Sequence, residues 1–95
     1  MTEGLSTLFS LGRLFATPGA ILAAKEANDN LIVYLYRHAA GDWGDLDHAD
    51  MLANAAALKE GTRLLSAYHL KDGKKIWIIT EADRSATTIL LPDEY

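Results

Sequence analysis

Ninety-five residues, with nine Lys plus Arg against thirteen Asp plus Glu and no cysteine, make an acidic chain of single-domain size and formal charge −4. Lack of cysteine excludes disulfides, thiolate catalysis and cysteine-ligated zinc, and it fits a cytoplasmic setting. An acidic balance without a Lys/Arg cluster argues against nucleic acid as partner, and 49% hydrophobic with 23% charged residues argues for a packed core rather than disorder.

In chain order, residues 1–4 are expected to be flexible. Leu5, Leu8, Phe9 and Phe15 fit a helical stripe, but Gly12 interrupts it, and a short strand near 10–16 is the preferred reading. No basic stretch precedes the apolar N-terminal residues, and Gly12 and Arg13 break them, so they read as neither a signal peptide nor a membrane span. Thr17 is a good N-cap and Pro18 a good first helical residue, which predicts a helix from 18 to about 28, ended by Asn28-Asp29-Asn30. Residues 31–40 are contested. Ile32-Val33-Tyr34 favours a strand, whereas Asn30 as N-cap, Arg37-His38 near the end and Gly41 beyond it favour a helix. Helix is chosen, with Leu31, Leu35 and either Ile32 or Tyr36 facing the core and the basic pair complementing the helix dipole.

Gly41-Asp42-Trp43-Gly44-Asp45-Leu46-Asp47 reads as a tight loop presenting an indole, which can be core or an interface anchor. Asp47 then caps a helix over 48–60 that Gly61 closes. Its expected buried side is Leu52, Ala55, Ala56 and Leu58 or Lys59, with Asp50 and Asn54 together on another face. The C-terminal third is a three-stranded meander: 63–70, a turn at Asp72-Gly73, 75–80, a polar corner at 81–85, and 86–91. Ile76 and Ile78 alternate with Trp77 and Ile79, so the middle strand should be central and covered on both faces, by helices on one and by Trp43, the N-terminal segment or a second subunit on the other. The order β-α-α-α-β-β-β predicts an α+β single domain spanning 1–95, with three helices packed on a small, mainly antiparallel sheet.

Two polar groups are candidates for contact with a ligand or partner. The first is Asp42, Trp43 and Asp45, with His38, Asp47, His48 and Asp50 nearby. Carboxylates and imidazoles at this density suit a divalent ion, but the spacing matches neither a calcium loop nor a zinc-hydrolase helix, and capping and turn roles account for the same residues. No metal or cofactor is assigned. The second is the corner Glu81, Arg84, Ser85, Thr87 and Thr88. Here Arg84 with hydroxyls and loop amides suits a phosphate or carboxylate, while a Glu81–Arg84 pair and β propensity suit plain scaffolding. Arg63 and Tyr68 join this surface if their strand lies alongside. Acid–base cleavage of RNA would use His38, His69 or Glu81 with Arg84, although His69, between Tyr68 and Leu70, reads as a half-buried structural histidine.

The stretches Thr17-Pro18-Gly19-Ala20, Arg37 to Asp45, Arg63 to Tyr68, and Trp77 to Thr88 with Leu91-Pro92-Asp93-Glu94-Tyr95 resemble a family of small bacterial proteins. Its members are called plasmid-related or uncharacterised, and some are labelled type I restriction subunits. The resemblance covers roughly residues 11 to 95. It implies a bacterial, often mobile-element origin and licenses no list of catalytic residues; the chain carries neither the glycine-rich cofactor loop nor the catalytic tetrapeptide of a methyltransferase. The combined expectation is a binding or regulatory module, acting through protein–protein or small anionic-ligand contacts and self-associating as a homodimer. A small RNase-type or other hydrolytic enzyme is the alternative.

Overall fold

The structure, a computed structural model, describes residues 7–95. The expectations for residues 1–4 and for Leu5 lie outside them. In order, the elements are β1 (Arg13–Ala16), α1 (Pro18–Glu26), α2 (Leu31–Ala39), α3 (His48–Glu60), β2 (Leu64–His69), β3 (Lys75–Thr80), β4 (Ala86–Leu90) and a 3-10 turn at Pro92–Glu94. Three helices and a four-stranded sheet make an α+β fold, with the contested segment helical. The sheet order is β1-β4-β3-β2; the meander pairs are antiparallel, while β1 joins β4 in parallel and makes the sheet mixed.

Local chemistry sets the element ends. The Thr17 hydroxyl accepts from the Ala20 amide at 3.1 Å, the Asn30 side chain from Ile32 at 3.0 Å, and the Asp47 side chain from Asp50 at 2.9 Å. Gly61 closes α3 in the left-handed region, at φ 74°. At the β2–β3 turn Gly73 has φ 92°, and the Leu70 amide donates to the Lys74 carbonyl at 2.8 Å.

Strand register sorts side chains onto two faces. Leu64, Thr80 and Thr87 form one row, Ser66, Ile78 and Ile89 the next, and Tyr68 with Ile76 a third. Against these rows pack Ala20 and Ala23 of α1 and Tyr34 and Leu35 of α2. The small alanines let α1 lie close to the sheet, and each buried Ile or Leu contributes about 1.5–3 kcal/mol.

The second face carries the row Phe15, Thr88, Ile79 and Leu65 across all four strands, with Leu90, Trp77 and Ala67 beside it. β3 is central, as expected, with α1 and α2 on one side of it, and its second-face residue Ile79 is buried as well. On the other side Tyr95 meets Trp77 edge-on at 5.9 Å, and the Arg63 guanidinium lies 5.2 Å from the Tyr95 ring centre. Trp43 packs on the helix side instead, so it is not the cover for this face.

Two helices differ from their expected orientation. α2 turns Leu31 and Leu35 to the core as expected, but it also buries Tyr34, His38 and Ala39 and leaves both Ile32 and Tyr36 exposed. α3 buries Asn54 and Ala57, while Leu52, Ala55 and Ala56 face solvent. The reason lies in what α3 packs against: a bare strand edge offers backbone amides and carbonyls, which an asparagine satisfies and a leucine does not.

Candidate functional site

Beneath α2 runs a buried polar chain. His38 Nδ1 lies 2.5 Å from Ser66 Oγ, His38 Nε2 2.9 Å from Thr80 Oγ1, Thr80 Oγ1 2.7 Å from Thr87 Oγ1, and Thr87 donates to the Leu11 carbonyl at 2.7 Å. The carbonyl at the end can only accept, which fixes each proton back to His38 Nε2, and burial, which keeps the ring neutral, leaves Nδ1 as an acceptor. Thr87 therefore accepts from Thr80, Thr80 accepts from His38 Nε2–H, and His38 Nδ1 accepts from the Ser66 hydroxyl. The imidazole is held neutral with its proton on Nε2.

A serine hydroxyl donating to an imidazole nitrogen has the connectivity of a nucleophile and its base. Its surroundings do not suit that task. His38, Ser66, Thr80 and Thr87 are each 0% exposed, and the group behind the imidazole is a hydroxyl rather than a carboxylate. Phe9 closes over the ring edge-on at 5.3 Å and Trp43 at 5.7 Å. Burial lowers the His38 pKa from 6.5 to about 4, which leaves a weak base. The chain works as a cross-brace that ties α2 to β2, β3, β4 and the N-terminal arm. His38 consequently does not complement the helix dipole as a cation; of the basic pair, only Arg37 remains charged at the end of α2.

Around this brace the Asp-Trp loop is fastened at several points. Asp42 accepts from Arg37 Nε at 2.7 Å, and this bond holds its carboxyl below the ordinary range. The Arg37 guanidinium lies 4.7 Å from the Tyr68 ring centre, and the Tyr68 hydroxyl donates to the Asp42 carbonyl at 2.6 Å. Burial pushes the Tyr68 pKa up to about 12. Gly44 forms a parallel bridge to Ala67, with the Ala67 amide donating to Trp43 and the Asp45 amide to Ala67. Asp45 pairs with His69 at 2.8 Å; both side chains are about half exposed, in keeping with His69 as a half-buried structural histidine.

The loop thus seals part of the outer edge of β2. Asn54 seals the next part, accepting from the Leu65 amide at 3.2 Å and donating to the Leu65 carbonyl at 2.6 Å. It reaches the strand and not the Asp-Trp loop. Blocked edges of this kind prevent unplanned strand pairing.

At the polar corner Arg84 does not pair with the Glu81 carboxylate. Its guanidinium donates to the carbonyls of Thr62 at 2.6 Å, Glu81 at 3.2 Å, Ala82 at 3.1 Å and Ala57 at 3.1 Å. It therefore clamps the end of α3 to the β3–β4 corner, from a left-handed backbone at φ 61°. Ser85 is exposed, and its amide donates to the Asp83 side chain at 3.0 Å. Thr87 belongs to the buried chain, and Thr88 is half-buried on the second sheet face. Arg63 goes to Tyr95 and Tyr68 to Arg37, so neither joins the corner.

The two candidate groups meet through a residue assigned to neither. Phe9 stacks on Trp43 with centroids 6.2 Å apart, and the Arg84 guanidinium lies 5.8 Å from its ring centre. Asp42, Asp45 and Asp47 are each engaged elsewhere. Among the described residues no three His, Asp or Glu side chains converge as metal ligands, and no helix is long and apolar enough to cross a membrane. Comparison with protein-family models, with curated proteins and with solved structures finds no match in any of the three.

Proposed function

We propose that the chain is a binding module, and that its docking surface for a protein partner is the outer face of its helices rather than either polar group. The observation that carries this reading is α2. One side of this short helix builds the core, yet its other side presents Ile32, Val33 and Tyr36 at 45%, 52% and 48% exposure. These three are neighbours at helical spacing, a pattern suited to an apolar groove or helix on a partner. Ile21 and Leu22 on α1 and Met51 and Leu52 on α3 extend the apolar character of the surface.

Both other readings fit less well. A small anion needs a guanidinium free to turn toward it, whereas both terminal nitrogens of Arg84 are held by backbone carbonyls, Nη1 by Thr62, Glu81 and Ala82 and Nη2 by Ala57. Hydrolysis needs an accessible base held beside a cation, whereas His38 is sealed, His69 is paired with Asp45, and the Glu81 carboxylate makes no pair with Arg84. The bacterial, mobile-element setting rests on the family resemblance alone.

The test is a photo-crosslinking amino acid at Val33 in cells expressing the protein. A discrete adduct that disappears in a folded Tyr36→Glu variant supports the reading. No adduct, or one indifferent to Tyr36→Glu, counts against it.

A further inference from the structure

The two edges of the sheet are treated in opposite ways. On β2 the outward backbone groups of Leu65 and Ala67 are all bonded, to Asn54, Trp43 and Asp45. On β1 the Arg13 and Thr17 amides donate inward to Ser85 and Ile89, so strand alternation turns the amides and carbonyls of Leu14 and Ala16 outward. Among the described residues nothing bonds to them. Leu14 and Phe15 stand beside this edge at 54% and 49% exposure. An unpaired apolar strand edge is a template for another strand.

We propose that β1 pairs antiparallel with β1 of a second copy about a two-fold axis at Phe15, joining the two sheets into one. The register follows from the ends of the strand. Outward-facing residues must meet outward-facing residues, which leaves Leu14 opposite the partner's Leu14, the partner's Ala16, or the residue at position 18. The first choice needs Gly12 in the ladder, but Gly12 has φ 65° and is not extended. The last needs an amide from Pro18, which has none. Only Leu14 opposite the partner's Ala16 remains. That register supplies both bonds of two hydrogen-bonded pairs, places Phe15 against its own copy on the second sheet face, and extends the Phe15–Thr88–Ile79–Leu65 row across the axis.

Charge complementarity favours a second copy over an unrelated strand. In this register Arg13 falls opposite the partner's Thr17. The Thr17 hydroxyl donates to Glu94 Oε1 at 2.6 Å, so each Arg13 meets a carboxylate held beside that position. Within one chain, among the described residues, neither Arg13 nor Glu94 has an ion-pair partner. The two-fold axis brings these two charges together twice. This inference does not depend on the helical docking face.

The experiment is sedimentation of the full chain from low micromolar to near-millimolar concentration, with circular dichroism confirming that each variant is folded. The native chain is expected to form a dimer. Phe15→Lys should be monomeric, and Arg13→Glu should dimerise about tenfold more weakly, because two exposed ion pairs become repulsions. Glu94→Arg should weaken it likewise, and an equal mixture of the two charge variants should associate more tightly than either alone, because both pairs become attractive again. A native chain that stays monomeric overturns the proposal, as does a dimer indifferent to Phe15→Lys and Arg13→Glu. A mixture no tighter than its components overturns the register. Crosslinking at Val33 reads the helical face independently, so the two ideas fail separately.

Discussion

Acid should unfold this protein through His38 before its carboxylates contribute. In the unfolded chain the imidazole takes up a proton near its ordinary value of 6.5; in the folded chain burial holds it neutral down to about 4. Between these limits the unfolded state binds more protons, so stability falls as pH falls. At roughly 1.4 kcal/mol per pH unit the gap amounts to about 3 kcal/mol, a large share of the stability of a small domain. The structure explains why nothing offsets it. No carboxylate faces the imidazole, only Ser66, Thr80, Phe9 and Trp43. A proton added at Nδ1 points at a hydroxyl whose own hydrogen then loses its acceptor. Asp42 and Glu94, both held below their ordinary values of 3.8 and 4.5, lose their contributions only as pH drops past that range. The assay is denaturant unfolding at a series of pH values for the native chain and for His38→Gln, with the imidazole followed by NMR. Above the carboxylate range the native chain should lose stability with falling pH while His38→Gln stays nearly level. Parallel curves, or an imidazole that titrates near 6.5 in the folded protein, would refute the reasoning.

Other substitutions probe the same construction. Asn54→Ala should cost about 2–4 kcal/mol in urea unfolding, because it strands one amide and one carbonyl of Leu65, and it should raise aggregation by exposing the β2 edge. Arg84→Lys should cost nearly as much as Arg84→Ala, since a single ammonium cannot span carbonyls from α3 and from the corner, and amide exchange should quicken at the end of α3. Gly44→Ala should be far more damaging than Gly73→Ala, although both residues have positive φ. An added Cβ at Gly44 meets the Ala67 carbonyl and the Tyr68 ring, while at Gly73 it meets open space and costs only about 1 kcal/mol of backbone strain; comparing the two thermal midpoints decides it.

Much of the fold was legible residue by residue because its signals are local. Thr17-Pro18, Asn30, Asp47 and Gly61 mark helix ends through bonds made within a few positions, and Asp72-Gly73 marks its turn by one backbone conformation. The contested 31–40 segment resolved as a helix because Asn30 caps it and the core needs Tyr34, Leu35 and His38 on one side. The candidate sites were less legible. Arg84 and Thr87 stood out as polar contact candidates, but Thr62 and Ala57 for the one and Leu11 for the other lie far along the chain, and spacing carries no trace of them. Phe9, Ser66 and Asn54 were missed for the same reason, whereas Arg37 pairs with Asp42 only five positions on. The only prior signal for Asn54 was a polar residue within an alanine-rich helix.

By itself the sequence determined the elements, their order and the α+β class, since capping, turn chemistry and hydrophobic alternation act over short distances. Tertiary structure decided which faces are used. Whether Asn54 or Leu52 faces inward depends on a strand edge that exists only after the sheet assembles. Whether His38 is a cation, a base or a brace depends on hydroxyls supplied by three different strands. Whether β1 ends the sheet or invites another strand depends on β4 lying on just one side of it.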